Sequence, residues 1–196
     1  TVIAFDGVDD GMSTSSFQTF PNKRGNIFIV FKCTIPTGAA NRIDHLIGTY
    51  GTGAGTMWQI NTVEDFAILT KYIGFDSLNV LVNVNIPQSS TTPAVTYGYD
   101  TFVLLSANRI SDTVMEGIGN GSLGDIGSPI SQLAIANTQP NSNPVNIGNS
   151  FIAGNSEPFY GCIAEIAIYN DSLSDYERQH VEQYFFKKYS LIKQYT

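Results

Sequence analysis

The sequence predicts an all-β fold, a sandwich or a barrel, with one α-helix at its C-terminal end. Three observations carry that reading. Eighteen Gly and eight Pro are spread over the 196 residues and cut the chain into short segments. Those segments are filled with Val, Ile, Phe, Tyr and Thr, residues that suit a pleated, half-buried surface. Near the end, Ser174-Asp-Tyr-Glu177 has the spacing of a helix-starting capping box.

The strands follow in order. The first covers 2–5. The clearest covers 26–35, Asn-Ile-Phe-Ile-Val-Phe-Lys-Cys-Thr-Ile. Its odd positions Ile27, Ile29, Phe31, Cys33 and Ile35 are apolar, while Lys32 and Thr34 fall on the other face, so the odd set is assigned to the core. Further strands are expected at 43–49, 56–61, 66–74, 78–84, 101–109, 113–119, 145–148 and 160–169. Gly- or Pro-containing links join them at 51–55, 87–93 and 117–121. Many short strands between such turn signals argue for a sandwich or barrel. No break in composition and no repeat of fixed period divides the chain, so a single domain over 1–196 is expected.

The helix is expected over about 174–189, with Ser174 as N-cap. Acidic Asp175 and Glu177 open it and Lys187 and Lys188 close it, as the helix dipole favours. Val181, Tyr184, Phe185 and Lys188 have the three-and-four spacing of a half-buried face. One helix among many strands is expected to seal an edge or a face.

Charge excludes some functions. Charged residues make up 14% of the chain, against about a quarter in ordinary globular domains, and the net charge is −7. So acidic a chain, so poor in Lys and Arg, lacks the footprint of a duplex-binding protein. The best apolar run, 27–31, falls far short of the roughly 20 residues that span a bilayer. The surface polarity must come from Ser, Thr, Asn, Gln and Gly.

Two terminal segments carry a family resemblance. Phe5-Asp-Gly-Val-Asp-Asp10 resembles the opening strand and turn of laminin-G-like, concanavalin-A-like jelly-roll domains. Phe159-Tyr-Gly-Cys-Ile-Ala-Glu-Ile-Ala-Ile-Tyr-Asn170 resembles that fold's closing strand, and Leu173 to Tyr184 with Lys188-Tyr189 resembles the helix that follows it in bacterial and phage versions. Tyr97 to Asn108 resembles the central strand before a hairpin. The resemblance implies a two-sheet antiparallel jelly-roll sandwich whose first and last strands are neighbours. It implies no single activity, because the fold carries lectins, adhesion modules, capsid ornaments and glycoside hydrolases.

The chemistry-bearing residues give few constellations. Glucan hydrolases of this fold resemble one another in a Glu-x-Asp-x-Glu strand, which sets carboxylates on one face as glycoside chemistry requires; no such spacing occurs here. Glu64-Asp65 and Asp9-Asp10 are adjacent pairs, which a strand would point to opposite faces. The two histidines, His45 and His180, have no local activating partner, and no Cys or His cluster has zinc spacing. The chain is therefore expected not to be an enzyme and to need no cofactor. Asp6-Gly-Val-Asp-Asp10 reads first as turn chemistry. A calcium site, with Asp6 and Glu165 as the candidate ligands near the first and last strands, is the alternative. Cys33 and Cys162 both fall in strands that look core-facing, and buried free thiols are the expected state.

Glycan-binding surfaces combine aromatic rings with amides and carboxylates that bond hydroxyls. Trp58, Tyr50, Tyr72, Tyr97 and Tyr99 beside Asn61, Asn83, Asn85 and Asp100 supply those groups. Trp58, Tyr97, Tyr99, Asp100, Asn83 and Asn85 are the candidate ligand-binding residues. Tyr97 and Tyr99 share strand parity. Trp58, the sole Trp, sits in a strand where a lone Trp is more often core. The expectation is a non-catalytic, lectin-like recognition or decoration module contacting glycan or protein, capsid or tail proteins included. A virion surface is the first context and a secreted or cell-surface bacterial carbohydrate-binding module the second. A glycoside hydrolase of the same fold is the third reading. The ligand and the oligomeric state are not legible.

Overall fold

The computed structural model describes residues 1–14, 24–34, 42–49, 58–65, 68–74, 81–85, 102–109, 115–119, 122–123, 144–149 and 157–191. Twelve strands and one helix lie among them. The strands are β1 (Ile3–Asp6), β2 (Met12–Ser13), β3 (Gly25–Cys33), β4 (Arg42–Thr49), β5 (Trp58–Asp65), β6 (Ile68–Gly74), β7 (Leu81–Asn85), β8 (Val103–Arg109), β9 (Met115–Gly119), β10 (Ser122–Leu123), β11 (Val145–Ile147) and β12 (Tyr160–Tyr169), and α1 spans Asp175–Tyr189. They form two six-stranded sheets, ordered β1-β12-β3-β8-β9-β10 (sheet A) and β2-β11-β4-β5-β6-β7 (sheet B). Every described pairing is antiparallel. The fold is thus an all-β sandwich with one C-terminal helix, and its first and last long strands pair, Ile3 opposite Ile163.

Between the sheets lies a core built from Phe5, Ile27, Ile29, Phe31, Leu46, Ile60, Val103, Leu105, Phe159 and Ile163, among others. Burying each such side chain contributes about 1.5–3 kcal/mol. The odd face of β3 is in this core as the alternation predicts; Ile35 lies outside the described residues. The even face is buried too. Phe28 and Val30 pack with Leu104 and Phe185 in a second apolar layer under α1. β3 is central in sheet A, so its residues from Ile27 to Phe31 are covered on both sides, and an unbroken apolar run is what such a strand requires.

α1 has the predicted cap. The Glu177 backbone N–H donates to Ser174 Oγ at 3.3 Å, and the Ser174 backbone N–H donates to Glu177 Oε2 at 2.9 Å. Ser190 ends the helix in the left-handed region, φ 51°. The face laid on sheet A is rotated from the expected one. Glu182 and Phe185 are buried and Arg178, Val181, Phe186 and Tyr189 half-buried, whereas Tyr184 and Lys188 are exposed. A polar seat explains the rotation. Ser106 on β8 donates to Glu182 Oε1 at 3.0 Å, and Arg178 Nη1 donates to the same oxygen at 2.6 Å. Beside it Asn26 donates from Nδ2 to Asn108 Oδ1, and Asn26 Oδ1 accepts the Leu173 backbone N–H at 2.7 Å. The second link fixes the chain just before the helix begins.

One assignment is corrected here. Cys33 is in the core, but Cys162 lies opposite Lys32 on the helix side of sheet A and is only half-buried. The two cysteines form no disulfide. They sit at adjacent register positions of opposite parity, because Gly161 is the residue facing Cys33.

Candidate functional site

Sheet B has two faces, and α1 lies on neither, since its apolar contacts are with sheet A. Ile60 marks the core side of β5. Its register partners Ile47 on β4 and Ile73 on β6, with Val82 on β7, continue an apolar row across four strands. Register positions one residue away belong to the outward face. There Asn61, Tyr72 and Asn83 occupy one row across β5, β6 and β7. Two residues along, Val63, Thr70 and Asn85 form the next row. The strands lie about 4.8 Å apart and the rows about 6.8 Å apart. The register positions of Asn61, Tyr72, Asn83, Thr70 and Asn85 thus span roughly 10 by 7 Å of this face.

The predicted residues separate accordingly. Asn83 and Asn85 share the outward parity of β7, so one strand carries two amides of the patch. Trp58 opens β5 with the parity of Ile60, which is the core-side parity. Tyr97, Tyr99 and Asp100 lie outside the described residues, as does Tyr50. Thr70 completes the patch and the sequence reading missed it. The signal that finds it is alternation in 68–74 read together with that in 81–85, which needs the pairing of β6 with β7. His45 occupies the same row as Asn61 and is fully buried, so this face is covered at its β4 end.

The two calcium candidates do not converge. Asp6 faces Tyr160 in the β1–β12 ladder, five residues from Glu165, roughly 16 Å along an extended strand. Asp6 is instead grouped with Asp9 and Asp10, all exposed, with one carboxylate oxygen of each within 4.8 Å of the others. Asp6 Oδ1 accepts the Val8 backbone N–H at 2.8 Å and Asp10 Oδ2 accepts the Asp6 backbone N–H at 2.9 Å. These are the local bonds of a tight turn, and Gly7 supplies its positive φ of 74°.

Glu165 is held by the helix. A bulge between Ile163 and Glu165 puts both Ala164 and Glu165 on the α1 side. Lys188 Nζ donates to Glu165 Oε2 at 2.7 Å, as does the Tyr189 hydroxyl, while the Tyr184 hydroxyl donates to Oε1 at 3.3 Å. Desolvation raises the Glu165 pKa, but the bonds from Lys188 and Tyr189, with the Lys188 charge, outweigh it and leave it below the usual carboxylate range. The Lys188 ammonium is held well above its usual range, first by its bond to Glu165. Burial and then Glu165 raise the Tyr189 hydroxyl. A shallow cavity of about 350 Å³ adjoins this cluster, lined by Glu165, Tyr169, His180 and Tyr184 among others. His180 is exposed, and its Nδ1 lies 2.8 Å from the Tyr176 carbonyl.

Because the folded-state pKa of Glu165 is depressed, its contribution is present above the unfolded value and lost as pH falls through the folded one. Glu165→Gln is expected to lower stability at neutral pH by less than about 1 kcal/mol, since the pair is partly exposed. The variant is expected to lose less stability than the wild type between about pH 5 and pH 3. Urea unfolding across that range checks it; parallel pH curves refute the assignment.

No protein-family model matches the chain, and no curated protein matches it in sequence. Solved structures do match in fold. The CBM40 module of the Ruminococcus gnavus IT-sialidase, solved with α2,3-sialyllactose, is 18% identical with a TM-score of 0.53, over 89% of this chain and 97% of that one. A Trypanosoma rangeli sialidase in complex with sialic acid is 13% identical with a TM-score of 0.60, over 92% of this chain and 27% of that one. A point mutant of the Streptococcus pneumoniae NanB sialidase is 18% identical with a TM-score of 0.61, over 91% and 27%. The chain thus spans about a quarter of the sialidases it matches and nearly the whole of the separate carbohydrate-binding module. At these identities the likeness is one of fold, and that fold is a two-sheet β-sandwich.

Proposed function

We propose that this chain is a non-catalytic glycan-recognition module of the laminin-G-like, concanavalin-A-like type, and that the outward face of sheet B is its binding surface. The observation that carries the reading is the row Asn61–Tyr72–Asn83, extended by Thr70 and Asn85. Amides and hydroxyls both donate to and accept from sugar hydroxyls, and a tyrosine ring offers an apolar surface to a sugar's C–H groups. The match to a carbohydrate-binding module over nearly its full length supports the reading. A non-catalytic role is supported by Glu165, which is ionised and engaged by Lys188 and so unsuited to donate a proton.

The first context proposed is a virion surface, with capsid or tail proteins as neighbours; it rests on the resemblance of the C-terminal helix to the one found in bacterial and phage versions of the fold. A secreted or cell-surface module is the second, favoured by the CBM40 likeness. Tyr72→Ala and Asn83→Ala are each expected to weaken glycan binding by about tenfold or more, losing stacking or an oriented bond. Isothermal titration with a glycan found on an array checks this, with thermal melting as the folding control. Unchanged affinity in both variants moves the site elsewhere. Polysaccharide hydrolysis that disappears in Asp100→Ala or Glu165→Ala overturns the non-enzyme reading.

A further inference from the structure

Two of the fold neighbours named above were solved with sialic acid or sialyllactose, ligands that carry a carboxylate. Proteins that recognise a carboxylate in a fixed orientation supply a cation, most often an arginine with its paired donors. Among the described residues, the proposed surface places no cation at an outward register position. Between residues 43 and 177 the sequence contains two cations, Lys71 and Arg109. Arg109 ends β8 in sheet A. Lys71 lies opposite Thr62 and Val84, with the core-side parity of Ile73 rather than the outward parity of Tyr72. Arg42, which opens β4, lies opposite Glu64, again of Ile60 parity. The outward positions of β5, β6 and β7 are Gln59, Asn61, Val63 and Asp65, then Ile68, Thr70, Tyr72 and Gly74, then Leu81, Asn83 and Asn85. Not one is basic, and the only charge among them is the acid Asp65.

From this placement we infer that the sheet B face takes an uncharged glycan and discriminates against sialylated or otherwise anionic ones, resting on the glycan-recognition reading above. Two physical effects set the preference. An anionic group brought to this face loses hydration with no cation to compensate. It also approaches a chain of net charge −7, whose field opposes anions at low ionic strength. Neutral sugar hydroxyls meet neither penalty, because amide and hydroxyl groups satisfy them without any charge. Recognition of this kind owes little to long-range electrostatics, so its affinity is nearly independent of salt.

The test is an array of neutral and sialylated glycans probed with the full chain, followed by titration of each neutral binder against its α2,3-sialylated form. The neutral glycan is expected to bind, and sialylation to weaken binding by about tenfold or more. Affinity for the neutral glycan is expected to stay flat between about 0.1 M and 1 M salt, while the Debye length falls from about 10 Å to 3 Å. Equal or tighter binding of the sialylated form overturns the inference and leaves glycan recognition standing. Absence of binding to every glycan on the array removes the recognition reading itself, and this inference with it.

Discussion

Gly148→Ala is expected to destabilise the fold by roughly 3 kcal/mol or more, combining left-handed backbone strain with overpacking. Gly148 has φ +78°, a conformation that side chains with a Cβ adopt only at a cost. Any Cβ placed there falls against Cε1 and Cδ1 of the Phe5 ring. The backbone cannot step aside, because both of its polar groups are bonded. Its N–H donates to the Leu46 carbonyl at 3.0 Å, and its carbonyl accepts the Phe159 N–H at 2.7 Å. Phe5 is equally confined, packed 5.8 Å centroid to centroid against the buried Phe159 ring. Gly148 is thus where β11, β4 and the residues entering β12 meet the β1 aromatic ring. Thermal and urea unfolding check the prediction. Adding Phe5→Leu to Gly148→Ala is expected to recover the steric part and not the backbone part, giving a non-additive pair. An alanine variant within about 0.5 kcal/mol of wild type refutes the account.

Glu182→Ala is expected to cost about 3–5 kcal/mol, the range for removing one partner of a buried ion pair. Glu182 is 3% exposed and Ser106 0%. Both Ser106 and Arg178 donate to the same carboxylate oxygen, so its loss leaves the Ser106 hydroxyl without this acceptor and the Arg178 guanidinium with only the exposed Asp175, 3.5 Å away. Removing both ions tells a different story. Arg178→Met with Glu182→Met is expected to recover most of the loss, because an apolar pair of similar volume has no unpaired charge to hide. The urea midpoint at constant slope measures each variant. If the double variant is as unstable as the single one, packing rather than the stranded charge governs the seat.

The seat also shows why helical spacing alone does not reveal the buried face. Tyr184 and Lys188 have the same three-and-four relation to Phe185 and Val181 that a buried stripe has, and hydrophobicity favours Tyr184 over Glu182. Across the interface, however, Ser106 on β8 offers a hydroxyl at the point where the helix rests. A carboxylate with two donors is stable there, and Tyr184 turns outward to bond Glu165. The deciding residue is 76 positions away in the chain, outside the reach of any helical period.

Some misses were local. β10 is only two residues long, too short for alternation to show. Yet Gly119 pairs with Ser122, and the two residues between them are Asn120 and Gly121, the strongest two-residue hairpin signal. Read as a link, 117–121 hid that pairing. β2 is as short and pairs with β11, about 130 residues on, so nothing near it in sequence announces it.

By itself the sequence determined the all-β class, the helix and its cap, the core-facing odd positions of β3, and a surface with few charges. Each of these follows from local rules: turn residues, period-two alternation, cap chemistry and composition. Tertiary structure decided which face each side chain serves. Bulges before Ile47 in β4 and at Ala164 in β12 shift the register by one residue, and one residue reverses the face of everything beyond it. Pairing of β5, β6 and β7 then gathers Asn61, Tyr72 and Asn83 into one row. Because a row across a sheet is made of residues from separate strands, no stretch of the chain spells it out.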